Sequence, residues 1–141
     1  TAEYKEQAKK LNMSVDDVMK LASIIEREAK VEKDRPLISA VFHNRLKKNI
    51  KLQSCATVQY LLQEQKEVLT YKDLEVDSPY NTYKYAGLPK GPIASPGAKS
   101  IEAALYPADV DYLYFVANTD GSHIFTRTYQ EHLNAQNKIK K

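Results

Sequence analysis

Apolar positions along the first half of the chain recur at the spacing of an amphipathic helix, and those of the last third alternate. Tyr4 to Leu11 reads as a short polar helix that stops near Asn12. Ser14-Val15-Asp16-Asp17 places a hydroxyl at a helix start and a carboxylate three residues on, a capping-box arrangement. The helix it opens is expected to run to about Val31. A third begins near Asp34-Arg35-Pro36, where the missing N–H of Pro36 costs nothing, and carries Leu37, Ile38, Val41, Phe42 and Leu46 at helical spacing. Lys47 to Lys51 breaks the pattern, and a fourth helix is expected over about Ala56 to Gln65. Thr70 to Asp73 fits one capped turn, and Ser100 is expected to open a short helix. Tyr112 to Val116 has the β-branched and aromatic content of a strand, Thr119-Asp120-Gly121 is a turn, and Ser122 to Thr126 returns as the partner strand. Thr128-Tyr129-Gln130-Glu131 repeats the capping-box pattern ahead of a terminal helix to about Lys138.

Between these parts, Ser78 to Gly97 holds four of the six prolines and three of the four glycines. Such a stretch sustains neither a helix nor a ladder and reads as a long ordered loop. Loops of that length in a compact domain are usually functional. The fold class is therefore α+β: a helical N-terminal half, a long Pro/Gly-rich loop, a β-hairpin and a terminal helix. At 141 residues the whole of 1–141 is expected to form a single domain.

Composition narrows the function classes. The longest unbroken apolar run is the six residues Tyr112 to Ala117, against about twenty for a membrane-spanning helix. Net charge is only +3, and the densest basic groups, Lys47 to Lys51 and Lys138 to Lys141, stand apart from any nucleic-acid-binding motif. The single cysteine, Cys55, allows no internal disulfide and no cysteine-rich zinc site. His43, His123 and His132 lie far apart without metal-ligand spacing, so neither a metal nor another cofactor is expected. Ten tyrosines without a tryptophan suit core edges and also sugar-facing surfaces.

The helix from Ser14 carries the candidate chemistry. With each residue advancing about 100° from Val15, the polar residues Asp16, Lys20, Ser23, Arg27 and Lys30 fall in one stripe. Glu26 falls at about 20° and Glu28 at about 220°, both on the apolar side. A buried carboxyl holds its proton toward neutral pH and can donate it, as a general acid must. Pairing with Arg27, Lys20 or Arg45 would explain the same placement, and the wheel does not choose between the two glutamates.

Leu21-Ala22-Ser23-Ile24-Ile25-Glu26-Arg27-Glu28-Ala29 resembles the signature helix of the endolytic murein transglycosylases, the YceG-like family. The same order of further pieces follows: Val41 to Leu46, Leu52-Gln53-Ser54 with Thr57 to Tyr60, Ser78 to Tyr83, Gly87-Leu88-Pro89, Gly91 to Gly97, Tyr112 to Ala117 and His123-Ile124-Phe125. The resemblance covers about Leu21 to Asn137. It implies a lytic transglycosylase that cleaves the β-1,4 bond between N-acetylmuramic acid and N-acetylglucosamine in peptidoglycan glycan strands. Such an enzyme leaves a 1,6-anhydro muramyl end and releases nascent strands. By the same resemblance the catalytic acid maps to Glu26. Gln53, Ser54, Asn81, Thr82 and Tyr83 are expected to hold the sugar. Many members carry Asp-Pro where this chain has Cys55-Ala56, so no catalytic role is expected of Cys55.

The resemblance further implies a membrane anchor and a LysM-like segment beyond this chain. It places the work on the extracytoplasmic face of the membrane and suggests contact with cell-wall synthesis machinery. The chain begins at Thr1 rather than Met, and an excised catalytic domain is the expectation. The alternatives are a peptidoglycan-binding module without catalysis, and a hydrolytic muramidase in which Glu28 or Asp77 helps water attack.

Overall fold

A computed structural model describes residues 2–63 and 69–140. In chain order the elements are α1 (Ala2–Lys10), α2 (Val15–Glu28), a 3-10 turn (Glu32–Asp34), α3 (Arg35–Lys47), α4 (Cys55–Leu62), α5 (Tyr71–Leu74), α6 (Ala98–Leu105), β1 (Tyr114–Ala117), β2 (His123–Thr126) and α7 (Tyr129–Lys140). The expected α+β class holds. Among the described residues no helix is long and apolar enough to cross a membrane.

Helix α2 is the central element. Leu21, Ala22, Ile24 and Ile25 are all fully buried, and the helix packs against α1, α3, α4 and α6. The facing side chains are Ile38 and Phe42 of α3, Ala56 of α4, and Ala103, Ala104 and Leu105 of α6. Ala and Ser on α6 permit close approach of the two helices. The capping boxes read from the sequence are present. Ser14 and Asp17 exchange both bonds at the start of α2, Thr70 and Asp73 at α5, and Thr128 and Glu131 at α7. Each satisfies backbone N–H groups that a helix start leaves orphaned.

Several boundaries move for identifiable reasons. Helix α2 stops at Glu28 rather than Val31, because Ala29 turns to extended backbone after its N–H closes on the Ile25 carbonyl. Helix α6 starts at Ala98, two residues before Ser100, with Gly97 as its N-cap. Strand β1 begins at Tyr114 rather than Tyr112, because side chains of α3 take the preceding carbonyls. Asn44 Nδ2 donates to the Val110 and Tyr112 oxygens at 2.9 Å, and Arg45 Nε donates to the Leu113 oxygen at 2.7 Å. Helix α4 ends at Leu62 with Gln63 in the left-handed region; the expected end at Gln65 lies outside the described residues.

The hairpin pairs antiparallel, Tyr114 opposite Thr126 and Ala117 opposite His123. The Asp120-Gly121 turn closes it, with Gly121 at φ +91°, a conformation that costs glycine little. The long loop from Ser78 to Gly97 has no regular element, as expected, yet it is tied down from within. Its Ile93 N–H donates to Ser23 Oγ at 3.0 Å, which explains why Ser23 is fully buried although the wheel puts it on the polar stripe.

Candidate active site

The end of α2 opens into a cleft of about 830 Å³. One wall is the last turn of α2 and its exit, Glu26 to Lys30. The others are the start of α4 with Gln53 and Tyr83, strand β1 with His123, and Tyr129, His132 and Gln136 of α7. Elements far apart in sequence meet here because α3 clamps them. Arg45, only 6% exposed, donates Nη1 to the Lys51 carbonyl at 2.6 Å besides its bond to Leu113. Its guanidinium lies 4.9 Å from the Tyr114 ring centroid. Its neighbour His43 contacts the Ala104 carbonyl at 2.7 Å through Nε2. Three consecutive polar side chains on a core helix therefore fasten α6, the approach to β1 and the turn before α4.

Both glutamates border the cleft, but they do different things. Their positions on α2 send them to the N-termini of two different helices. Glu26 Oε1 accepts from the Gly97 N–H at 2.8 Å and from Ser100 Oγ at 3.0 Å, capping α6. These bonds, with the charge of Arg35, hold its carboxyl below the ordinary glutamate value. A Cβ on Gly97 would stand 3.3 Å from Glu26 Oε1, so glycine keeps that approach open.

Glu28 is pressed into the protein at the start of α4. Its Oε1 accepts from Ser54 Oγ and from the Ala56 N–H, both at 3.3 Å. Burial dominates over those two bonds and over the charge of Lys30, and the carboxyl is pushed up. Among the described residues Oε2 receives no bond, which leaves one oxygen free to carry a proton. Of the two carboxyls, the one that is raised is Glu28. At Glu26 the direction is the opposite of the expectation, because polar donors rather than apolar side chains meet it.

The other expected residues divide in the same way. Gln53 and Tyr83 border the cleft. Gln53 is exposed and sits at φ +52°, and Tyr83 is half-buried. Ser54 is 3% exposed and reaches the cleft only through Glu28. Asn81 and Thr82 lie inside the fold instead. Asn81 is fully buried, and its Nδ2 donates to the Leu74 and Val76 carbonyls while its Oδ1 accepts from the Tyr83 N–H. Thr82 is 1% exposed; its Oγ1 accepts from the Ser54 N–H at 2.9 Å and contacts Thr57 Oγ1 at 3.0 Å. Neither lines the cleft. Their bonds hold the loop segment that carries Tyr83 and tie it to Ser54, as turn-forming residues do.

Sequence reasoning passed over Arg45, Tyr114, Tyr129 and His132 as parts of the site. Cys55, expected to pack or to lie on the surface, is exposed and borders the cleft; its Sγ meets the Tyr83 hydroxyl at 3.0 Å. Although the residue as a whole is exposed, desolvation around its sulfur pushes the thiol up, away from the nucleophilic thiolate. The only signal for Arg45 was three polar residues in a row on an otherwise apolar helix.

The chain is similar to known proteins over almost its whole length. The model of the YceG-like family matches residues 1–138. An endolytic murein transglycosylase of Bacillus subtilis (strain 168) is 50% identical over 135 residues, 96% of this chain and 38% of that protein. An endolytic murein transglycosylase of Streptococcus pneumoniae serotype 2 is 34% identical over 92% of this chain and 24% of that protein. A crystal structure of a yceG-like protein from Listeria monocytogenes superposes with a TM-score of 0.88 at 52% identity, covering 95% of this chain and 44% of that one. The chain thus spans 38% of the Bacillus relative's length and 24% of the Streptococcus relative's.

Proposed function

The chain belongs to the YceG-like family, and from that premise we propose that it is the catalytic domain of a lytic transglycosylase acting on peptidoglycan glycan strands, with Glu28 as the acid and base. The names of the Bacillus and Streptococcus relatives support the reaction class. The observation that carries the residue assignment is the Glu28 carboxyl at the cleft, raised by burial and with Oε1 engaged by Ser54 and Ala56.

The reaction balances on that one group. The Oε2 proton of Glu28 passes to the oxygen bridging C1 of N-acetylmuramic acid and C4 of N-acetylglucosamine. The C1–O bond breaks, its electron pair stays with the departing oxygen, and positive charge develops at C1. The muramyl 6-hydroxyl oxygen attacks C1 and its proton goes to Glu28. The products are a 1,6-anhydro muramyl end and a free 4-hydroxyl, with no water consumed and the carboxyl restored. Glycosidases that use water or a covalent intermediate need a second carboxyl at a set separation. Here the nucleophile belongs to the substrate, so proximity replaces it and the cleft has chiefly to hold the ring in a reactive shape. Gln53 and Tyr83 at the cleft edge are the residues proposed to hold it. Ser54 orients Glu28, and Glu26 secures α6 behind it.

A glycan substrate places this work on the extracytoplasmic face of the membrane. Attachment through an anchor outside this chain, and contact with the cell-wall synthesis machinery, are part of the same proposal.

Turnover of purified, peptide-free glycan strands tests the assignment. Glu28→Gln keeps the shape and removes the transferable proton; activity falls about 10² to 10⁴-fold. Glu26→Gln costs far less. A Glu28→Gln protein with wild-type turnover would refute the assignment, as would a dead Glu26→Gln protein that is fully folded beside an active Glu28→Gln. Glycan binding without any cleavage by the wild type would favour a binding module instead.

A further inference from the structure

The mechanism above leaves one polar group of the cleft unused. His123, at the start of β2, borders the same cleft as Glu28. It is held unusually firmly for a hairpin residue. Asp34 Oδ2 accepts from the His123 backbone N–H at 3.0 Å and lies 3.1 Å from its Nδ1. The two side chains are 3% and 5% exposed. Phe115 stands edge-on to the imidazole at 5.4 Å between centroids, and Phe125 flanks it at 6.1 Å. A carboxylate only accepts, so Nδ1 carries the hydrogen. In the neutral ring Nε2 is then left with its lone pair. Among the described residues Nε2 has no partner, yet it is not one of their fully buried unpaired atoms. The residue itself is part of the cleft lining.

We propose that His123 contacts the substrate: its Nε2 accepts a hydrogen bond from a sugar hydroxyl or acetamido N–H bound beside Glu28, and Asp34 is the positioning residue that fixes the ring for that contact. A purely structural tie between the 3-10 turn and the hairpin would need only the backbone N–H and Nδ1. The inference rests on the cleft being the glycan site.

Two substitutions separate the nitrogens. His123→Asn puts an amide where Nδ1 stands, so it keeps the tie to Asp34 but leaves nothing at Nε2. His123→Gln reaches the Nε2 position and gives up the tie. The expected result is a loss of about tenfold or more in kcat/KM for His123→Asn at near wild-type Tm, with His123→Gln retaining more activity. In parallel, imidazole ¹⁵N resonances of the Glu28→Gln protein are followed while a peptide-free tetrasaccharide of alternating N-acetylglucosamine and N-acetylmuramic acid is added. The expected outcome is that, of the two His123 ring nitrogens, only the Nε2 resonance moves strongly on binding. The ¹⁵N experiment needs no His123 variant to fold. Wild-type turnover in His123→Asn, or a bound glycan that leaves Nε2 unmoved, would overturn the inference while leaving the transglycosylase reading intact. A wild-type protein that neither binds nor cleaves the glycan would overturn both.

Discussion

Glu26 and Glu28 are two residues apart and carry the same group, yet their surroundings push them in opposite directions. That difference has consequences for stability. Glu26 has a folded-state pKa below its ordinary value of 4.5, so its contribution is present at neutral pH and is lost as pH falls through the lowered value. Glu26→Ala removes a helix-capping acceptor and should cost about 1–2 kcal/mol at pH 7. In thermal melts the gap from the wild type should close in acid. Glu28 has a raised pKa, so the folded state binds its proton more tightly than the unfolded chain does. Its burden on stability is absent below 4.5 and grows as pH rises toward the raised value. Glu28→Gln should therefore melt higher than the wild type at neutral pH and equally in acid. A lower melting temperature at pH 7 would mean that the carboxylate is stabilised by its surroundings and is no proton store. The helical wheel took both side chains off the polar stripe but could not tell them apart. It gives the direction in which a side chain leaves the helix, not how closely the helix N-terminus that it meets is shut off from water.

At the scale of elements, what was legible was local. The capping pairs Ser14/Asp17, Thr70/Asp73 and Thr128/Glu131, the hairpin turn at Asp120-Gly121 and the Pro/Gly-rich loop are each written within a few neighbouring residues, and each is present. What was not legible depended on distant partners. Strand β1 starts late because Asn44 and Arg45, some seventy positions earlier in the chain, take its leading carbonyls. Asn81 and Thr82 looked like sugar-binding groups on a loop. Their partners, Leu74, Val76, Ser54 and Thr57, turn them inward once α4 and α5 are in place. The loop is thus a folded element whose centre is Asn81. Asn81→Ala would leave two buried carbonyls and one N–H without their partner, which costs about 2–4 kcal/mol. The fraction that remains folded should bind glycan with unchanged KM. A variant with native melting temperature and weakened glycan binding would return Asn81 to the substrate.

The whole molecule is built on α2. Its buried face holds α1, α3, α4 and α6, and its last turn reaches the cleft that it lines together with α3, α4, the hairpin and α7. The fold class and the order of elements followed from period and punctuation in the sequence. The cleft did not, because its walls come from both ends of the chain and are joined by contacts between distant residues, those of the α3 side chains among them. The central claim is that this cleft uses the substrate's own 6-hydroxyl as nucleophile, with Glu28 moving the proton. Mass spectrometry of peptide-free glycan strands after incubation with the wild-type protein reads that claim directly, since an anhydro end is lighter than a reducing end by one water. The account predicts 1,6-anhydro muramyl ends from the wild type and none from Glu28→Gln. Reducing muramyl ends that incorporate oxygen from labelled water would contradict it.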